Sequence, residues 1–190
     1  MADEKIDRYV LSTGKNAVST LEKQHQMLAK HSYEQLQKAG LREGMSVWDI
    51  GCGSGTMTEY LAKAVGPTGH VYAMDNNEEQ LNVTKERIAK AGLTNVTFIL
   101  DDIITASELS KKSADIVYSR LVLMHLQKPE TAIRNMYELL KPGGTLSLQE
   151  STMSTSHTSP MSDTLQEYIR TLVSLGEHKG VDYDIGRKLP

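Results

Sequence analysis

Apolar residues along this chain follow two rhythms: short continuous runs, and stretches in which they recur every three or four positions. The runs at 46–50, 71–74, 96–100, 114–119 and 145–150 have the length and β-branched content of buried strands. Between them the spacing is helical. Val18, Leu21, His25 and Leu28, then Tyr33, Leu36 and Ala39, predict two helices broken near His31 and Ser32, ending at Gly40 and lying against or over one edge of the sheet. Met57, Tyr60, Leu61, Ala64 and Val65 predict the next helix, closed by Gly66-Pro67-Thr68-Gly69. Leu81, Thr84, Ile88 and Ala91 mark another, with acidic residues in its first turn and Gly92 as its stop. A short polar helix over 107–112 precedes the fourth strand. Ala132, Ile133, Met136, Leu139 and Leu140 predict a helix that begins at Pro129 and ends sharply at Lys141-Pro142-Gly143-Gly144. Beyond the fifth strand, 151–159 reads as a Ser/Thr-rich loop bordering a substrate cavity, 162–175 as a helix, and 182–190 as the start of one more. Helices alternating with apolar strands imply an α/β, doubly wound, mainly parallel sheet whose ligand lies at the carboxyl ends of the strands.

Chemistry concentrates where the first strand breaks into Gly51-Cys52-Gly53-Ser54-Gly55 and then into a helix. Alternate glycines permit positive φ and close backbone approach, and the N–H groups of the following helix favour electron-rich oxygens. A nucleotide-like ligand suits such a turn. A dinucleotide fingerprint would place its third glycine at Thr56, and Gly55 comes one residue early, so a nicotinamide oxidoreductase is disfavoured. Asp49 puts a carboxylate where pyrophosphate would be repelled and a ligand bearing ammonium and sulfonium welcomed. Asp75 ends the second strand about 20 residues past the turn, the position from which a carboxylate accepts hydrogen bonds from a ribose diol.

At 190 residues the chain suits one core, and its net charge of −3 with scattered lysines and arginines offers no footprint for nucleic acid. The single cysteine, Cys52, excludes an intrachain disulfide and a multi-cysteine metal cage, and inside the glycine turn it reads as a small filler. No run approaches a membrane span and the amino terminus lacks the apolar core of a signal peptide, so a soluble cytoplasmic protein is expected.

The stretch Asp49-Ile-Gly-Cys-Gly-Ser-Gly55 resembles motif I of the class I S-adenosylmethionine-dependent methyltransferases, and Leu140-Lys-Pro-Gly-Gly144 before a strand is similar to another of their signatures. Tyr9-x-Leu11 followed by Leu21-x-x-Gln24 is similar to an N-terminal, cofactor-capping signature of a small-molecule subgroup, which has Glu and Arg where this chain has Ala17 and Thr20. The resemblance implies a Rossmann-like fold, S-adenosyl-L-methionine as cofactor with S-adenosyl-L-homocysteine as product, and a small-molecule methyl acceptor. It divides the chain into an N-terminal helical cap, 1–42, and a cofactor-binding domain, 43–190.

The cofactor residues it implies are Tyr9, Asp49, Gly51, Cys52, Gly53, Gly55, Asp75 and Asn76, with Gln80 over the adenine. Asp102 would accept the exocyclic amine of adenine while the Ile103 N–H addresses a ring nitrogen, and Ser119 and Arg120 would pass the methionine portion. His125 would face the reactive centre, where an ordinary pKa of about 6.5 suits a general base for a hydroxyl or acidic carbon. No Asn/Asp-Pro-Pro-aromatic motif follows the fourth strand, which argues against amino-group methylation of adenine, and no metal is expected. The family's sheet has seven strands and five are found here, so the sequence reads as a fragment whose fifth strand is an exposed edge open to self-association. The other readings are a non-catalytic cofactor-binding module and a protein or RNA methyltransferase.

Overall fold

The computed structural model describes residues 15–106, 113–160 and 162–189, with side chains from residue 19 onward. Tyr9 and the short helix expected over 107–112 lie outside the described residues. In chain order the elements are α1 (Lys15–Lys38), β1 (Ser46–Ile50), α2 (Thr56–Val65), β2 (His70–Asp75), α3 (Glu78–Lys90), β3 (Val96–Leu100), β4 (Ala114–Arg120), α4 (Pro129–Glu138), β5 (Leu140–Gln149) and α5 (Asp163–Lys179). Short 3-10 turns occupy Leu123–His125, Met153–Thr155 and Ile185–Lys188.

The chain forms two compact units. The larger takes the described residues up to Ser119 together with Glu130–Leu148, and so holds the sheet, α1, α2, α3 and nearly all of α4. Its strand order is β3-β2-β1-β4-β5, and β1 pairs in parallel with both β2 and β4, β2 with β3. Order reverses at β1, so the carboxyl ends of β1 and β4 open a crevice at the topological switch point. Val47, Val71, Ile116 and Tyr118 of the strands pack with Leu36 of α1 and Met57, Leu61 and Val65 of α2 into one core. Strands flanked on both faces are apolar at nearly every position, which is why β1 and β4 read as continuous runs rather than alternating ones.

Several elements differ from the sequence expectation. α1 is a single helix: the Ser32 hydroxyl donates back to the Leu28 carbonyl at 3.1 Å, so the serine is absorbed into the helix rather than ending it. Helix α4 stops at Glu138 and β5 begins at Leu140, because Gly144 lacks the side chain that would strike β4, where a β-carbon would lie 3.0 Å from the Ala114 carbonyl oxygen. In the smaller unit, formed by Arg120–Pro129 and the chain from Gln149 on, α5 runs through Gly176 to Lys179. Gly176 lies inside the helix because Tyr183 packs on it, a β-carbon there falling 2.9 Å from Tyr183 Cδ2; the stop is Gly180, at φ 70°. The tail forms only the 3-10 turn Ile185–Lys188, and a second such turn interrupts the Ser/Thr-rich loop. Among the described residues no helix is long and apolar enough to cross a membrane.

Candidate functional site

Strand β1 is parallel to its neighbours, so it delivers Asp49 and the glycine turn to the same sheet edge as the carboxyl ends of β2, β3 and β4. Gly51, Gly53 and Gly55 all adopt positive φ, at 72°, 55° and 76°. The turn is tied down along its length. Gly51 and Cys52 donate their N–H groups to the Met74 carbonyl at 2.8 and 2.9 Å, the Thr84 hydroxyl donates to the Gly53 carbonyl at 2.7 Å, and Arg87 Nε donates to the Ser54 carbonyl at 2.8 Å. Gly55 is packed against α3. A β-carbon there would stand 2.8 Å from Thr84 Cγ2 and 3.0 Å from Thr84 Cα, so Gly55→Ala is expected to cost about 3 kcal/mol from combined clash and left-handed strain. A urea midpoint unchanged in that variant would refute this packing.

Asp75 joins the turn to the end of β2. Its Oδ2 accepts the Gly53 N–H at 2.9 Å and its Oδ1 the Asn77 N–H at 2.9 Å, which leaves lone pairs on both oxygens for a ligand. Burial raises its carboxyl above the usual range, opposed by those backbone donors. The Asp101 N–H bonds the Asp75 carbonyl at 3.2 Å, bringing the end of β3 alongside. Asp102 caps its own turn, accepting the Ile104 N–H at 2.9 Å, and Ile103 is buried beside it, its carbonyl held by Asn135 Nδ2 at 2.7 Å.

Asn76 is exposed, and Asn77 is the cap of α3, accepting the Gln80 N–H at 3.1 Å. Gln80 itself is only 3% exposed and its Oε1 has no hydrogen-bond partner among the described residues; Ser119, at the end of β4, is fully buried and its Oγ has none among them either. Buried polar atoms without partners are costly, and here both belong to residues expected from the sequence to meet a ligand. They make the edge fit a polar, nucleoside-like occupant.

Asp49 is 2% exposed and accepts the Thr58 hydroxyl at 2.6 Å, which ties β1 to the first turn of α2. Cys52 is buried, and burial followed by the Asp49 and Asp75 charges pushes its thiol well up, so it stays protonated and unreactive. Leu21 of α1 reaches the turn, its Cδ1 4.0 Å from where a β-carbon on Gly53 would stand, and Arg87 Nη2 holds Glu22 of the same helix at 2.6 Å. Thr58, Thr84 and Arg87 were not legible as site-builders, since each acts through a partner distant in sequence.

Arg120 and His125 belong to the smaller unit. His125 lies at the end of the 3-10 turn, its ring edge-on to Tyr183 with centroids 5.8 Å apart. Burial lowers it from 6.5 to about 4, so the imidazole is neutral throughout the physiological range and a weaker base than its ordinary pKa implied. The smaller unit also holds a carboxyl group that motif reading passed over: Glu150, just past β5, is pushed by burial from 4.5 up to about 7. The sequence expectation counted it as the last residue of the fifth strand. An acidic residue ending a strand is one part of the signal that picked out Asp75, whose spacing from the glycine turn was the other.

The chain is similar in sequence and in fold to known proteins. The ubiquinone/menaquinone biosynthesis C-methyltransferase of Ectopseudomonas mendocina is 36% identical over 118 residues, which are 60% of this chain and 45% of that protein. A sterol 24-C-methyltransferase of Gibberella zeae is 29% identical over 127 residues, 66% of this chain and 32% of its own length. The chain thus spans less than half the length of these curated relatives. The crystal structure of a SAM-dependent methyltransferase from Aquifex aeolicus superposes with a TM-score of 0.60 at 28% identity, covering 78% of both chains. The family model described as a methyltransferase domain matches residues 41–182, a span that contains every strand of the sheet. This protein therefore belongs to the methyltransferase domain family, in the class I group that uses S-adenosyl-L-methionine.

Proposed function

We propose that the chain binds S-adenosyl-L-methionine on the crevice edge of its sheet and transfers the methyl group to a small-molecule acceptor, the acceptor atom being an electron-rich carbon. The observation that carries the cofactor part is the pair of buried, partnerless polar atoms, Gln80 Oε1 and Ser119 Oγ, on the edge where Asp75 braces the glycine turn. A carbon acceptor is supported by the C-methyltransferase names of the two curated relatives.

When bound, the cofactor supplies an electrophilic methyl on a sulfonium, and the displacement is in line, so alignment and exclusion of water are what the protein contributes. In this reading Gly51, Cys52, Gly53 and Gly55 cradle the cofactor with backbone, while Asp49 adds negative charge behind the turn. Asp75 and Asn76 take the ribose, Gln80, Asp102 and Ile103 the adenine, and Ser119 and Arg120 the methionine portion. His125, neutral, orients the acceptor or accepts its proton.

Calorimetric titration of the purified chain with S-adenosylhomocysteine, beside NADH, tests the assignment. Saturable binding of the first alone is expected; tighter binding of NADH would overturn it. A non-catalytic binding module would bind equally well and transfer nothing across a panel of aromatic and alkene acceptors.

A further inference from the structure

The chain leaves β4 by an unusual route. Leu121 adopts φ 56°, a left-handed conformation that costs a residue with a β-carbon about 1 kcal/mol or more. Something must over-determine it. The Leu121 N–H donates to the Gln149 carbonyl at 2.8 Å, and the next two amides, of Val122 and Leu123, both donate to Glu150 Oε1, at 2.9 and 2.8 Å. The Met124 amide adds to the same carboxyl group. Val122, which begins the 3-10 turn, provides no side-chain cap of its own. Successive N–H groups converging on one oxygen form an anion nest, filled here by a side chain from the far end of β5. The His125 N–H then closes the turn on the Val122 carbonyl at 3.0 Å.

We propose that Glu150 is the positioning residue of the turn that carries His125: by gathering the amides of Val122 and Leu123, its carboxyl group fixes the backbone path from Arg120 to His125. The functional weight of this rests on the reading, above, that His125 meets the acceptor. Glu150 Oε2 is buried without a hydrogen-bond partner among the described residues, so Oε1 does the gathering. An amide in the same place keeps that oxygen as an acceptor, whereas alanine leaves these amides unsatisfied and Leu121 strained without compensation.

Amide hydrogen exchange and His125 ring titration by NMR test the proposal in the full chain, with no acceptor required. In Glu150→Ala, protection of the Val122 and Leu123 amides is expected to fall at least 100-fold while amides of β1 and α2 keep theirs. The His125 midpoint is expected to move from about 4 back toward 6.5. Glu150→Gln should lose no more than tenfold of that protection and leave the His125 midpoint in place. Adding Leu121→Gly to Glu150→Ala should restore part of the protection, because glycine removes the left-handed cost. Protection unchanged in Glu150→Ala overturns the proposal, as does a loss in Glu150→Gln equal to that in the alanine variant. A uniform fall across all amides in Glu150→Ala, with no rescue by Leu121→Gly, would make Glu150 a general stability residue and overturn it too. Titration of the same proteins with S-adenosylhomocysteine is read separately: absence of binding in the wild type refutes the proposed function and leaves the exchange result standing.

Discussion

Asp75→Ala is expected to weaken S-adenosylhomocysteine binding by two orders of magnitude or more. Two hydrogen bonds from a ribose diol to a partly buried carboxylate are together worth about 3 kcal/mol, which is roughly 150-fold in affinity. The same variant removes the acceptor for the Gly53 N–H, 2.9 Å away, and so loosens the glycine turn. Asp75→Asn separates the two effects. It retains an oxygen for Gly53 but loses the charge, and a deficit of about tenfold is expected from the weaker neutral hydrogen bonds. Calorimetry on folded protein, verified by a cooperative urea transition, is the measurement. Affinity within threefold of wild type in Asp75→Ala would remove this residue from the site.

Stability against pH should show the second large effect, because two groups of the smaller unit oppose one another. Glu150 has its folded pKa raised from 4.5 to about 7, so its contribution is fully present below about pH 4.5 and is lost as pH rises through 7. His125 has its folded pKa lowered from 6.5 to about 4, so its contribution is present above about pH 6.5 and is lost as pH falls through 4. At about 1.4 kcal/mol per pH unit, each displacement corresponds to about 3 kcal/mol, and between pH 4.5 and 6.5 the two slopes cancel.

Wild-type stability should therefore be flat across that window as far as these groups decide it. Glu150→Gln should be about 3 kcal/mol more stable than wild type at pH 8 and little different at pH 4, and should fall steadily in stability from pH 6.5 downward. His125→Asn should show the opposite slope, losing stability as pH rises from 4.5 to 7. Urea midpoints at five pH values distinguish these curves. A Glu150→Gln difference independent of pH would mean that the carboxyl group is not held protonated by its surroundings.

The strands and their punctuation were legible because the signals are local. β3 runs over the predicted residues, and the glycines of the first turn take the left-handed φ their alternate spacing suggested. Runs of β-branched and aromatic residues need no distant partner to be read. The boundaries that moved did so where a further contact overrode the local cue, within one helix for Ser32 and between elements for the two glycines. Ser32 was absorbed into α1 by its own helix, Gly176 was kept inside α5 by Tyr183, and Gly144 lets β5 approach β4 before the turn signal would end the preceding helix.

Alternation of runs and helical stretches together with the Asp-x-Gly-x-Gly-x-Gly spacing was enough to determine an α/β sheet with a glycine turn at the carboxyl end of its first strand. A strand-turn-helix with alternate glycines is legible from local spacing, and parallel strands bring their carboxyl ends to one side. What only the tertiary structure decided is which groups reach one another there. The amide of Gln80, in the first turn of α3, is buried; Asp49 is committed to Thr58; and the arginine that ties the turn to α1 comes from α3. Glu150 serves a backbone turn 27 residues away by sequence. Hydrogen bonds of this range depend on side-chain direction and on the order in which strands are laid into the sheet, and neither is encoded in the spacing of residues along a single segment.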